Sequence, residues 1–159
     1  MKEILAILEN DARVTTEEIA KMTGYSVEEV NEKIKQAQND GTIVKYKAII
    51  NWEHISGEEV QAIIEIRVTP QIDVGFHGIA QKISRFPEVR SLSLMSGNYD
   101  LSVLVSGVSI QEIASFVATK LATIAEVLGT TTHFLLKRYK EDGVILEAEP
   151  GNKRLPLSP

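Results

Sequence analysis

Two runs of alternating residues flank one short polar turn, and this arrangement constrains the chain more than any other feature. On one side Leu92 and Leu94 alternate with Ser91 and Ser93; on the other, Leu101, Val103 and Val105 alternate with Ser102 and Leu104. A period of two is the pattern of paired strands, so the segment predicts a β-hairpin. The turn itself, Met95 to Asp100, contains Gly97 and Asn98, which tolerate positive φ, and Asp100, whose carboxylate can fold back onto neighbouring amides. A plain hairpin needs neither an aromatic nor an acid where its second strand begins. Tyr99 and Asp100 therefore have two readings: one covers the core and the other caps the turn, or together they mark a ligand site.

The chain has 159 residues, enough for one ordinary domain or two small ones, and its 43% apolar content suffices for packed cores. It has no cysteine, which removes disulfide frameworks and thiolate metal sites and fits a reducing cytoplasm. Met1 to Leu5 has an acid within its first apolar run and does not read as a signal peptide, and no run is long enough to span a membrane. The formal charge of -5 argues against a protein that coats nucleic acid, while leaving room for a local basic patch.

Read in order, Ile4, Leu5 and Leu8 recur at helical spacing up to Asn10. Thr15 stands three residues before Glu18, a capping-box spacing, ahead of Ile19, Ala20 and Met22, and Gly24 ends that helix. Ser26 and Glu29 repeat the signature before the stripe Val27, Val30, Ile34 and Ala37. Asp40-Gly41 closes this third helix, and Thr42 to Ile50 alternates like a strand pair or wing. Three helices with a glycine turn between the last two follow a helix-turn-helix plan, although any three-helix bundle shares it.

Periodicity is lost from Trp52 to Glu59, which predicts a boundary: a first domain at 1–53, a linker at 54–59, a second domain at 60–141 and a tail at 142–159. In the second domain Ala62, Ile64, Ile66 and Val68 form one strand face. Phe76, Ile79, Ala80, Ile83 and Phe86 make a helix that Pro87 stops. Beyond the hairpin, Ser109 and Glu112 cap a long amphipathic helix through Ile113, Phe116, Val117, Leu121, Ile124 and Leu128, and Thr130 to Tyr139 makes a last strand. The order β-α-β-β-α-β is that of a ferredoxin-like sheet, covered by helices on one face. Ile63, Leu104 and Leu135 fall on its second face, which predicts self-association through an apolar surface. Val144-Ile145-Leu146 could add an edge strand, and the rest of the tail reads as flexible.

With Gly97-Asn98-Tyr99-Asp100 at the second-to-third strand turn of such a domain, and a short helix-turn-helix before it, the chain resembles the Lrp/AsnC (feast/famine) family of prokaryotic transcription regulators. Leu8 to Arg13, Glu18-Ile19-Ala20, Gly24-Tyr25-Ser26, Gly41-Thr42-Ile43, Tyr46 and Asn51 fall where that family carries its own motif residues. The resemblance implies an α+β protein, with an N-terminal winged helix-turn-helix joined to a C-terminal ferredoxin-like domain. It implies double-stranded DNA and a small amino acid as partners, a homodimer or an oligomer of dimers, no cofactor, and no membrane.

A free amino acid presents an ammonium and a carboxylate, so its site needs an acid and a set of donors. Asp100 supplies the acid, and Gly97 and Asn98 admit a ligand close to the main chain. The resemblance implies that Thr130 and Thr132, which match the family's Thr-x-Thr, complete the pocket; both are also ordinary strand residues. For DNA the candidates are Arg13, Ser26, Lys33, Lys35, Lys45 and Lys47. One departure matters. From Met1 to Ile55, six lysines and one arginine face eight glutamates and two aspartates, a net charge of -3, and the outward face of the third helix shows Glu28, Glu29, Glu32, Lys35, Gln36 and Asn39. Carboxylates near phosphate lower affinity, so a metabolite-binding oligomer without DNA binding is the alternative. A second alternative is an enzyme similar to the sirohaem decarboxylases, for which His133 is the one candidate imidazole. His54, His77 and His133 are dispersed, and no metal-binding or catalytic spacing is present.

Overall fold

The computed structural model describes residues 1–55, 59–70 and 75–146, the side chain of Glu53 excepted. These residues divide into two compact units, Met1–Ile50 and the remainder from Asn51 onward. Residues 56–58 of the expected linker and residues 147–159 of the expected tail lie outside the described residues.

The first unit holds α1 (Lys2–Asn10), α2 (Thr16–Thr23) and α3 (Val27–Asn39). Ile4, Ile19, Ala20 and Val30 are buried at its centre, with Leu8, Val14, Tyr25 and Ile34 packed against them. Both capping boxes form: Thr15 accepts from the Glu18 amide while Glu18 accepts from Thr15, and Ser26 and Glu29 do the same. Met22, expected on the inner stripe, is instead 67% exposed. Thr23 next to it is half-buried, its hydroxyl donating to the Ile19 carbonyl at 2.7 Å. The wing expectation also changes, because Thr42–Ile50 forms no strand. The Ile43 amide donates to the Ala37 carbonyl at 2.8 Å, but Val44 is 89% exposed and the alternating apolar residues find no second strand to pair with among the described residues.

The second unit contains β1 (Val60–Val68), α4 (His77–Ser84), β2 (Val89–Leu94), β3 (Leu101–Gly107), α5 (Ile110–Phe116) and β4 (Val127–Phe134), an antiparallel sheet of order β2-β3-β1-β4. Ala62, Ile64, Ile66, Leu101, Val103 and Val105 turn toward the helices, where Ile79, Ile83, Ile113 and Phe116 meet them. The expected long helix is shorter. α5 passes at Val117 into a π-helical turn ending at Leu121, where the hydroxyls of Thr119 and Thr123 bond back to the Ser115 and Thr119 carbonyls. Leu128 therefore belongs to β4 and is 67% exposed. The last strand begins at Val127 rather than Thr130 and ends at Phe134, short of Tyr139. Val144–Ile145 pairs with Lys140–Glu141 in a separate hairpin (β5, β6) rather than joining the main sheet.

The uncovered face of the sheet is more polar than the pattern predicted. Ser93, Ser102, Glu65 and Thr131 form one cross-strand row, and Ser91, Leu104, Ile63 and His133 form the next. The apolar part is a narrow strip of Ile63 and Leu104, continued by Leu135, whose amide donates to the Gln61 carbonyl at 2.8 Å. Its flanks are ionic: Arg90 pairs with Glu59 and donates to the Ser106 hydroxyl at 2.6 Å, and His133 lies 3.5 Å from Glu65.

Candidate effector site and nucleic-acid interface

The turn between β2 and β3 projects from one end of the sheet. Gly97 adopts φ +142, a conformation L side chains rarely adopt, and Gly97 and Asn98 are exposed, while Tyr99 and Asp100 are half-buried. Main-chain bonds close the turn: the Met95 amide donates to the Asp100 carbonyl at 2.8 Å and the Asp100 amide to the Ile66 carbonyl at 3.0 Å. The Asp100 carboxylate reaches along the sheet end, and its Oδ2 accepts the Val68 amide at 2.8 Å. That amide is available because the β1–β3 pairing ends at Ile66–Leu101, so β3 offers it no strand carbonyl. The β1–β4 register slips between Arg67 and Val68, so Arg67 stands opposite Gly129 and Val68 opposite Val127, with Leu128 unpaired between them. Asp100 thus caps the end of β1, distant in sequence, rather than the neighbouring amides of its own turn, and it does so with one of its two oxygens. Among the described residues Oδ1 accepts no hydrogen bond.

The structure does not bring both threonines to this carboxylate. Thr130 stands opposite Ile66 and Thr132 opposite Ile64, so their side chains share the helix-covered side of the sheet with those isoleucines. Thr130 is at the sheet end that the turn reaches; Thr132 lies two residues further in. Arg67, which no sequence motif singles out, is exposed on the opposite side, next to the turn. Alternation with buried Ile66 and Val68 fixed its face, but only the β1–β3 pairing places it beside Asp100.

In the first unit, α3 presents Glu28, Glu29, Glu32, Lys35, Gln36 and Asn39 to solvent. Glu29 is engaged: it accepts the Ser26 amide at 2.8 Å, and the Ser26 amide and then its hydroxyl hold the carboxyl below its ordinary range. Ser26 is accordingly a helix cap, its Oγ accepting from the Glu29 amide at 3.2 Å. Lys33 is half-buried with its ammonium 5.1 Å from the centre of the Tyr25 ring. Arg13, Lys35, Lys45 and Lys47 are exposed. Among the described residues no cluster of three or more His, Asp or Glu could hold a metal, and no helix is long and apolar enough to cross a membrane.

Comparison with known proteins decides the kinship. The Lrp/AsnC ligand binding domain family matches residues 61–145, and a winged helix-turn-helix DNA-binding family matches residues 1–44. The chain belongs to the Lrp/AsnC family. This Lrp/AsnC protein is 46% identical over 158 residues to the uncharacterized HTH-type transcriptional regulator YugG of Bacillus subtilis (strain 168), covering 99% of this chain and 95% of that protein. It is 31% identical to the HTH-type transcriptional regulator FL11 of Pyrococcus furiosus, covering 88% of this chain and 89% of the relative. Among solved structures, AsnC of E. coli shares the fold with a TM-score of 0.68 at 24% identity, over 88% of this chain and 92% of that one. The transcriptional regulator NMB0573 of Neisseria meningitidis, solved as an L-Met complex, shares it with a TM-score of 0.69 at 23% identity, over 87% and 89%. An Lrp/AsnC regulator is a DNA-binding transcription regulator, and these relatives give the decarboxylase-like alternative no support. His133 fits this too, since it lies against Glu65 on the uncovered face rather than at the turn.

Proposed function

We propose that this regulator binds a small amino acid at the turn from Gly97 to Asp100 and that the ligand changes how dimers assemble on double-stranded DNA in the cytoplasm. The observation that carries the effector reading is the half-used carboxylate of Asp100. One oxygen is fixed by the Val68 amide at 2.8 Å, which holds the other in place at a half-exposed site beside an open glycine-asparagine turn. A preoriented carboxylate of this kind suits an ammonium, since little side-chain entropy remains to be lost on binding. The L-Met complex of the Neisseria regulator supports the same ligand class.

The strip of Ile63, Leu104 and Leu135, rimmed by the Arg90–Glu59 and His133–Glu65 pairs, has the apolar centre and polar border of a protein interface, and a second copy is its proposed occupant. Two copies would present two α3 helices to two half-sites. Arg13, Lys33, Lys35, Lys45 and Lys47 are the proposed phosphate partners, with Ser26 acting through the cap that starts α3. The acidic outward face of α3 favours a second reading, a metabolite-binding oligomer with little DNA affinity. A mobility-shift assay on genomic fragments at low salt, with and without each of the twenty amino acids, tests both. Retarded DNA whose pattern changes with one amino acid supports the proposal, and no retardation in any lane supports the second reading.

A further inference from the structure

Resting on the effector reading above, we infer that Arg67 receives the carboxylate of the bound amino acid, while Asp100 receives its ammonium. Three adjacent strands supply the geometry. Ile66 of β1 stands opposite Leu101 of β3 and Thr130 of β4, so the next residue, Arg67, lies opposite Gly129 on one side and beside Asp100 on the other. Arg67 is exposed, and its guanidinium leans over β4: a Cβ added to Gly129 would stand 3.2 Å from Nη2. A Cβ there would push the guanidinium aside by a few tenths of an ångström, and the residue found there is a glycine.

The charges on this end of the sheet are already sorted. Glu65, two residues back on the same face, faces His133 at 3.5 Å instead of Arg67. Among the described residues the Arg67 guanidinium has neither an ion-pair nor a hydrogen-bond partner. Arg67 and Asp100 lie on neighbouring strands, about one strand spacing of 5 Å apart at the backbone. An α-amino acid carries its ammonium and its carboxylate on one carbon, which suits it to two charged groups that are near neighbours. The arrangement also explains how the site works without Thr130 and Thr132, whose hydroxyls are on the other side of the sheet. Ligand binding would neutralise one exposed and one half-buried charge at this end of the sheet, with the row of Glu65 and Ser102 between them and the Ile63–Leu104 row.

The test is a thermal-shift and calorimetric titration of the full chain with the twenty L-amino acids, each stabilising acid being compared with its α-amide and its N-acetyl derivative. The wild type is expected to bind the amide tenfold to a hundredfold more weakly than the acid, the range for loss of one charge-assisted bond. Arg67→Gln is expected to bind acid and amide alike while still rejecting the N-acetyl form, and Arg67→Lys to recover part of the preference. If the wild type binds acid and amide equally, or if Arg67→Gln keeps the wild-type ratio, the assignment of Arg67 is overturned and the effector site stands. If no amino acid shifts the wild type, the effector reading falls, and this assignment with it.

Discussion

The Val68 amide and the Asp100 carboxylate meet at 2.8 Å where β1 runs past its last partner on β3. The β1–β3 pairing ends at Ile66–Leu101, and the side chain of Asp100 supplies the acceptor that a strand carbonyl would otherwise provide. One residue therefore has a structural duty on Oδ2 and a proposed ligand duty on Oδ1.

These duties separate by substitution. Asp100→Asn keeps an oxygen for the Val68 amide but loses the charge, so it should melt close to the wild type and show no stabilisation by amino acids. Asp100→Ala leaves a partly buried amide without its acceptor and should lose about 1 to 3 kcal/mol as well. Thermal denaturation of both variants, with and without ligand, checks this. Equal loss of stability in Asn and Ala would remove the capping role.

The lysines should not be equivalent on DNA. Neutralising Lys35 or Lys45 should lower the salt slope of binding by about 0.9 for each phosphate that the side chain had neutralised. Lys33→Gln should lower it less, because its ammonium already lies 5.1 Å from the Tyr25 ring centre. Binding titrations at several salt concentrations measure the slopes, and a Lys33 effect as large as that of Lys35 would show that its ammonium leaves the ring to meet phosphate.

Glu28→Gln and Glu32→Gln should each strengthen binding to all sequences, since both carboxylates are exposed on the outward face of α3. Glu29→Gln should not act so simply, for its carboxylate closes the box with Ser26. A fluorescence-anisotropy series on one duplex distinguishes them. Unchanged affinity in both Glu28 and Glu32 variants would mean that this face of α3 stays away from the DNA backbone.

The capping glutamates also set an acid limit. Glu18 and Glu29 have carboxyl groups held below the ordinary 4.5 by bonds from the Thr15 and Ser26 amides first and hydroxyls second. Their folded values are depressed, so their contribution to stability is present above 4.5 and is lost as pH falls through the lowered values. Helical signal at about pH 3 to 5 should accordingly fall less steeply in Glu18→Gln and Glu29→Gln than in the wild type. A steeper loss in the variants contradicts the sign.

Ile63→Glu should reduce association without unfolding the monomer, because Ile63 is 39% exposed on the uncovered face while Ile64 beside it is fully buried. Light scattering at micromolar concentration with circular dichroism as the control gives the answer, and an unchanged particle mass would move the interface elsewhere.

Much of this was legible in the residues themselves, because local patterns have local causes. The capping pairs Thr15–Glu18 and Ser26–Glu29 mark helix starts through bonds that close within three residues, and the alternation of β1 and β3 names their buried faces without any partner in view. What failed were expectations that needed one particular neighbour distant in sequence, although the order of strands and helices held. Thr42–Ile50 alternates like a strand yet finds no strand among the described residues, and Leu128 fits a helical period yet belongs to β4. The threonines and Arg67 show the same limit. Only strand register, set by pairing across β1 and by one bulge, decides that Thr130 and Thr132 turn toward the helices and that Arg67 lies beside Asp100. Periodicity tells which residues share a face within one strand; pairing across strands, which depends on residues far apart in the chain, decides which residues of different strands become neighbours.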